Sequence, residues 1–172
     1  MTILKKYDKI YHVVNKKKKV GKMIILDIET TGFDPKKDEI TQLSAYADNT
    51  GESFDRFIKI KGEVSSTITK LTGITNQQLQ NDGVDEHQCF EEFNEFMWDN
   101  LVQGDTQIIV CGHNIINFDL KFIINSMIKH QLKIPFFRVI DTYILAKNRE
   151  HVISAPNLKL GTLKEYFNIE VD

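Results

Sequence analysis

The sequence has few cysteines and no long hydrophobic run. The two cysteines, Cys89 and Cys111, do not have the spacing of a metal site. No stretch approaches the ~18 apolar residues of a membrane span, and the first residues lack the apolar segment of a secretory signal. We therefore expect two buried free thiols in a soluble, intracellular and cytoplasmic protein with no membrane partner.

Charge is distributed unevenly along the 172 residues, whose net charge is −2. Residues 1–22 hold eight lysines and one aspartate, a net charge of +7, so the remaining residues carry −9. We therefore divide the chain into a basic N-terminal extension, residues 1–21, and one domain, residues 22–172. The extension is interpreted first as a solvated segment, with a polyanion-binding leader or a nuclear-localisation patch as alternatives.

Hydrophobic periodicity predicts one α/β domain, a mixed sheet flanked by helices. Residues 65–81 are predicted to be rich in turns. The predicted strands are residues 22–28, 39–48, 53–60, 107–111 and a segment ending near 139–142, and the predicted helices are residues 86–101, 117–129 and 158–167.

The segment Met23–Gly32 ends an apolar run in two acids, Asp27 and Glu29. Side chains alternate along a strand, so both acids are expected on one face. Two neighbouring carboxylates repel each other and lose solvation, which a divalent cation would offset. A solvated acidic turn at the end of a strand is the alternative.

A second group of polar residues follows the strand that ends near Cys111. His113 and Asn114 lie in the expected loop, where Asn114 either holds the loop or positions a carboxylate, and Asp119 begins a helix. An acid in the first helical turn also complements the helix dipole without any other role. Phe118 is too apolar for full exposure, so we expect this helix start to pack against other structure. Asp141 or Thr142 is expected to cap the next helix.

Four motifs together resemble the DnaQ-like 3′→5′ exonucleases of the DEDD superfamily, which include proofreading domains and oligoribonuclease-type enzymes. The resemblance covers about residues 22–170 and implies a ribonuclease H-like fold. The motifs are Asp27–Gly32, Leu71–Ile74, His113–Asp119 and Asp141–Thr142.

The resemblance implies that Asp27, Glu29 and Asp119 bind two Mg²⁺ or Mn²⁺ ions. In such enzymes one ion activates a water for in-line attack on the terminal phosphodiester, and the other stabilises the leaving 3′-oxygen. It also implies contacts to the terminal nucleotide. For Leu71 and Ile74, ordinary core packing is an equally good interpretation. The candidate substrate-binding residues are Thr30, Thr31, Leu71, Ile74, Asn114 and Phe118.

The family pattern also includes a fourth acid and a His or Tyr after the helix at residues 158–167. The sequence ends at Asp172 without them, so we expect the domain to be incomplete at its C-terminus. A longer natural chain, a second chain that completes the site, or a relative that has lost catalysis would each explain this. The expected function is therefore 3′→5′ exonuclease, and the alternative is an inactive module that binds nucleic acid or a polymerase. The expected partners are single-stranded or 3′-terminal DNA or RNA.

Overall fold

The computed structural model describes residues 23–101 and 108–170. Its sheet has five strands in the order β3-β2-β1-β4-β5. The first three strands form an antiparallel meander, while β4 and β5 run parallel to β1. The strands are β1 Met23–Thr30, β2 Ile40–Ala47, β3 Ser53–Phe57, β4 Ile108–Gly112 and β5 Phe137–Asp141.

Helices cover both faces of the sheet. They are α1 Ser66–Thr72, α2 Asn76–Asp82, α3 Glu86–Asp99, α4 Asp119–Lys129, α5 Thr142–Lys147 and α6 Leu160–Tyr166. The predicted mixed sheet flanked by helices is therefore confirmed. The predicted basic extension, residues 1–21, lies outside the described residues.

Strand β1 is central, and its side chains alternate between two cores. Ile24, Leu26 and Ile28 pack with the apolar sides of α3 and α4, which include Phe93 and Ile123. Met23 and Ile25 face the opposite side, where Leu145 and Leu160 pack against them. Because side chains alternate, Asp27 and Glu29 continue the face of Met23 and Ile25.

The strand that carries the two acids is longer than predicted. The sequence places its end at Ile28, whereas β1 continues to Thr30 through pairing of Glu29 with Gln42 and of Thr30 with Ile40. The register shifts between Glu29 and Thr30, which is a bulge. Asp27 and Glu29 therefore lie within a paired strand, where their backbones are fixed on the β2 side.

Residues 65–81, predicted only to be rich in turns, form two short helices. Ser65 and Thr75 cap α1 and α2 by accepting hydrogen bonds from the backbone N–H of Ile68 and Gln78. Gly73, at φ 79°, ends α1 in the left-handed conformation that glycine adopts readily. Hydrogen bonds at the caps stabilise these helices. Their polar sequences lack the hydrophobic periodicity that predicts a helix.

Both cysteines are buried free thiols, as predicted. Burial raises the pKa of Cys89 to about 12, so this thiol stays protonated and packs as an apolar side chain. Across residues 23–101 and 108–170, the structure contains no helix that is long and apolar enough to cross a membrane.

Candidate active site at the carboxyl ends of the parallel strands

The two acids of β1 lie near the sheet edge where the parallel strands β1, β4 and β5 end. Asp27 and Glu29 are each half-buried, and their partners on β2 are Ser44 and Gln42. Loops at the carboxyl ends of strands in α/β sheets are the usual location of binding sites.

Asp119 reaches the same place from the start of α4. Strand β4 pairs with β1 only as far as Ile25, so on that side the amide of Ile28 lies beyond the last strand partner. Asp119 Oδ1 accepts the hydrogen bond from Ile28 N at 3.1 Å. This bond fixes the third carboxyl, which is 4% exposed, beside the backbone between Asp27 and Glu29.

The three carboxyls are electrostatically coupled. Burial, together with the negative charge of Asp27, raises the pKa of Asp119 to about 8. The same two causes, burial first, raise the pKa of Glu29 to about 7. The site therefore disfavours three ionised carboxylates in the absence of a cation, and a bound divalent cation would reverse that preference.

Asp141 organises the loop that leads from β4 to α4. Its Oδ1 accepts hydrogen bonds from Asn114 N at 2.9 Å and Tyr143 N at 3.0 Å, and its Oδ2 accepts one from Ile116 N at 3.2 Å. Of the two residues predicted to cap this helix, Asp141 is the cap. The same carboxylate also holds the β4–α4 loop, a role that the sequence does not reveal.

Asn114 has the unusual backbone angle φ 60°, which asparagine tolerates better than most residues. Its carbonyl accepts hydrogen bonds from Asn117 N and Phe118 N, both at 3.1 Å. Its side-chain oxygen accepts one from Asn117 Nδ2 at 3.0 Å. Of the two predicted roles for Asn114, the structure gives it the first, since it holds the loop.

Thr30 and Thr31 close the loop that follows β1. Thr31 N donates to Glu39 O at 2.9 Å, and Thr31 Oγ1 accepts from Glu39 N at 2.9 Å. A Cβ atom on Gly32 would lie 2.5 Å from the carboxylate of Asp38, so any other residue there would displace this side chain. The loop of residues 31–39 is thus fixed next to the acids.

Phe118 packs at the start of α4, as predicted. Its ring lies 5.2 Å from Phe122 and 6.1 Å from Phe33, measured between centroids. Phe33 is 79% exposed and is not among the residues predicted to contact a substrate. A large aromatic residue in an exposed turn directly after the acidic motif is the sequence feature that would indicate such a contact.

Leu71 and Ile74 have different environments. Leu71, at the end of α1, is 75% exposed and offers an apolar surface to solvent. Ile74 is 3% exposed and packs with Val64 and Leu79 in a small core. The core-packing interpretation therefore describes Ile74, which is too buried in this conformation to offer surface to a nucleobase, while Leu71 stays a candidate contact.

The sequence matches the model of the RNase_T family, described as exonuclease, over residues 24–172. The chain belongs to this exonuclease family.

Similar proteins are much longer than this chain. The 3′-5′ exonuclease DinG of Bacillus subtilis is 34% identical over 130 residues, which are 73% of this chain and 13% of that protein. The PolC-type DNA polymerase III of Thermotoga maritima is 35% identical over 146 residues, 80% of this chain and 10% of the polymerase. The chain therefore spans about a tenth of the length of these exonuclease relatives.

Solved structures share the fold at lower identity. Exonuclease I without ligand superposes with a TM-score of 0.74 and 18% identity, covering 87% of this chain and 37% of that one. Escherichia coli exonuclease I in complex with a dT13 oligonucleotide gives a TM-score of 0.72 and 17% identity, covering 87% and 36%. The predicted ribonuclease H-like fold is thereby confirmed.

The side chains of Asp27, Glu29 and Asp119 are all carboxylates, the ligands that a hard divalent cation prefers. Within residues 23–101 and 108–170, no three His, Cys, Asp or Glu side chains converge into a preformed metal site. The chemistry of the three acids fits such a cation.

Asp119→Asn should stabilise the metal-free protein increasingly as pH rises. The folded pKa of Asp119 is raised, so its stabilising contribution is complete below the unfolded pKa near 4 and is lost as pH rises through about 8. Asparagine keeps the oxygen that accepts from Ile28 N and does not ionise. Urea unfolding in EDTA at about pH 5 and about pH 8 measures the effect. Asp82→Asn, an exposed acid on α2, is the control, and a difference from the unsubstituted chain that is constant with pH would contradict the prediction.

Proposed function

We propose that this chain is a divalent-metal-dependent 3′→5′ exonuclease. It would remove nucleoside monophosphates from single-stranded or 3′-terminal DNA or RNA. The observation that supports this most is the coupling of Asp27, Glu29 and Asp119 at the edge where the parallel strands end. A protein that only bound nucleic acid would gain nothing from desolvated acids beside a phosphate backbone.

Asp27, Glu29 and Asp119 would hold two Mg²⁺ or Mn²⁺ ions through carboxylate oxygens. When bound, such ions supply an activated water and stabilise charge at the scissile phosphate. The chain itself fixes the carboxyl of Asp119 through Ile28 N, and strand pairing fixes the backbones of Asp27 and Glu29. The carboxyls of Glu29 and Asp119 must lose their protons as the ions bind, so activity should increase from pH 6 to about pH 8.

The terminal nucleotides would contact an apolar surface beside the acids. Phe33 and Phe118 offer aromatic surface there, and Leu71 offers exposed aliphatic surface. Stacking on such side chains tolerates every base, as stepwise trimming requires. Thr30, Thr31 and Asn114 would position the backbone of the end through the ordered loops that they hold.

The relatives supply a context for the proposal. PolC-type polymerases suggest a polymerase as a partner, and exonuclease I has been crystallised with single-stranded DNA and, in one form, with zinc. From these relatives we propose three properties for this chain. They are a single-stranded substrate, dependence on a divalent cation, and a polymerase as a partner.

Strands labelled at one end test the direction of degradation. In Mg²⁺ or Mn²⁺, a 5′-labelled strand should give a ladder of shortening products, and a 3′-labelled strand should release its label at once as a mononucleotide. EDTA should stop both reactions. Internal cleavage, loss of the 5′ label first, or no product in either metal would contradict the proposal.

Phe33→Ala should weaken binding of a single strand. Loss of one stacking aromatic costs about 1–3 kcal/mol, or about 5- to 150-fold in affinity. Fluorescence anisotropy of a labelled oligonucleotide in EDTA measures it without degradation. Phe136→Ala is a matched control, since Phe136 is 84% exposed and lies at the amino end of β5. The three acids lie near the carboxyl ends of the parallel strands. Equal effects of the two substitutions would contradict the assignment.

The alternative is a module of the same fold that binds nucleic acid or a polymerase without cutting. The observation that favours it is the lack of a preformed three-donor metal site among the described residues. The labelled-strand assay distinguishes the two candidates, because the module binds the strand in Mn²⁺ and leaves it intact.

A further inference from the structure

A groove of about 450 Å³ lies between the loop of residues 35–40 and helix α4, separate from the three acids. Its lining contains Lys36, Lys37, Lys61 and Lys129, together with three acids, Asp38, Glu39 and Glu86. We call it the lysine groove. Its lining carries a positive surplus, although residues 23–172 as a whole have a net charge of −9.

The acids of the lysine groove are already occupied by donors of the protein. Asp38 Oδ2 accepts from Asp34 N at 2.8 Å, and Glu39 accepts from the backbone N–H of Lys61 at 3.1 Å. Glu86 accepts from Ser126 Oγ at 2.9 Å and pairs with Lys129. The three carboxylates thus accept hydrogen bonds from the protein that surrounds the groove. These bonds reduce their repulsion of an anion.

Two of the lysines are available to a ligand. Lys36 and Lys61 are exposed and form no ion pair with the residues that the structure describes. Lys37 reaches Asp34 only at 3.5 Å, and both side chains are largely solvated, so this pair opens at little cost.

The lysine groove and the candidate active site share two elements of the fold, the loop of residues 31–39 and helix α4. The loop of residues 31–39 carries Phe33 toward Phe118 and its lysines toward the groove, and Asn125 Nδ2 ties the loop to α4 by donating to Pro35 O at 3.2 Å. Helix α4 connects the two places, since Asp119 begins it and Asn125 lines the groove. At about 1.5 Å per residue, these two residues are about 9 Å apart along the helix axis.

We propose that the lysine groove binds the phosphodiester backbone of a single strand upstream of the 3′ end that lies at the three acids. This inference rests on the proposed function for the position of the 3′ end. The loop of residues 31–39 carries the exposed Phe33 together with Lys36 and Lys37. Aromatic stacking combined with charge on the backbone is how single strands are bound without sequence preference. The backbone is common to DNA and RNA, so the groove would serve both.

The salt dependence of binding tests the groove. Lys36→Gln with Lys61→Gln should lower the slope of log affinity against log salt by about 1.4, since each single-strand phosphate contact contributes about 0.7. The measurement is anisotropy of a labelled oligothymidylate of about 20 nucleotides, in EDTA. Arg138→Gln with Lys147→Gln removes two exposed charges from β5 and α5 and is the matched control, with an unchanged slope expected.

Three results would overturn the proposal. They are an equal change of slope in both double variants, an unchanged slope in the groove variant, and no binding of the strand by the unsubstituted chain. Binding in EDTA is independent of cleavage. If the chain binds the strand and fails to shorten it in metal, the proposed exonuclease function fails while the slopes still decide the role of the groove.

Discussion

We expect Asp27→Asn to lower the rate of nucleotide release by the proposed exonuclease by about 10³-fold or more. Metal-assisted charge stabilisation at a phosphoryl centre contributes several kcal/mol, and each 1.36 kcal/mol corresponds to about tenfold in rate. Asp27 is the acid whose charge acts on both other carboxyls, so its removal changes the whole site. The rate is measured as mononucleotide release at saturating strand and metal.

The loss should lie in the chemical step. In EDTA the Asp27→Asn variant should bind a single strand at least as tightly as the unsubstituted chain, because one charge that repels phosphate is gone. Glu29→Gln and Asp119→Asn should each cost a similar factor, and combinations should cost little more, because the three carboxyls act as a unit. Asp99→Asn, an exposed acid at the end of α3, is the control. Full activity of Asp27→Asn would remove this residue from the site.

Asp141→Ala lowers the free energy of unfolding by about 3–5 kcal/mol, because it leaves several buried or half-buried N–H groups without an acceptor. The carboxylate is 4% exposed and serves Asn114, Ile116 and Tyr143 together. Urea unfolding measures the change.

Asp141→Asn is the matched comparison. Its single carbonyl oxygen can replace Oδ1, but its NH₂ group then faces Ile116 N, a second donor. We expect a loss intermediate between zero and that of Asp141→Ala. A cost of less than about 1 kcal/mol for Asp141→Ala would show that the loop does not depend on this carboxylate.

The sequence was sufficient for the sheet, because its strands are apolar and its long helices are amphipathic. Strand alternation identified Asp27 and Glu29 as candidates, and the resemblance to the DnaQ-like exonucleases added Asp119. Membership of the exonuclease family, expected from the same motifs, was confirmed by the match over residues 24–172.

What the sequence could not predict depends on contacts between distant residues. The bond from Ile28 N to Asp119 joins residues 91 positions apart. Asp141 accepts hydrogen bonds from two backbone amides in a loop about 25 residues earlier in the chain. The helices at residues 66–72 and 76–82 depend on local caps in a polar segment. The different environments of Leu71 and Ile74 depend on tertiary packing, which no local pattern encodes.

Titration of the chain with Mn²⁺, followed by electron paramagnetic resonance of the free ion, tests whether Asp27, Glu29 and Asp119 form one cation site. We expect the unsubstituted chain and Asp99→Asn to bind Mn²⁺ alike, and Asp27→Asn and Asp119→Asn each to weaken binding by about 10-fold or more. Binding of Mn²⁺ that is the same in all four proteins, or absent from the unsubstituted chain, would contradict it.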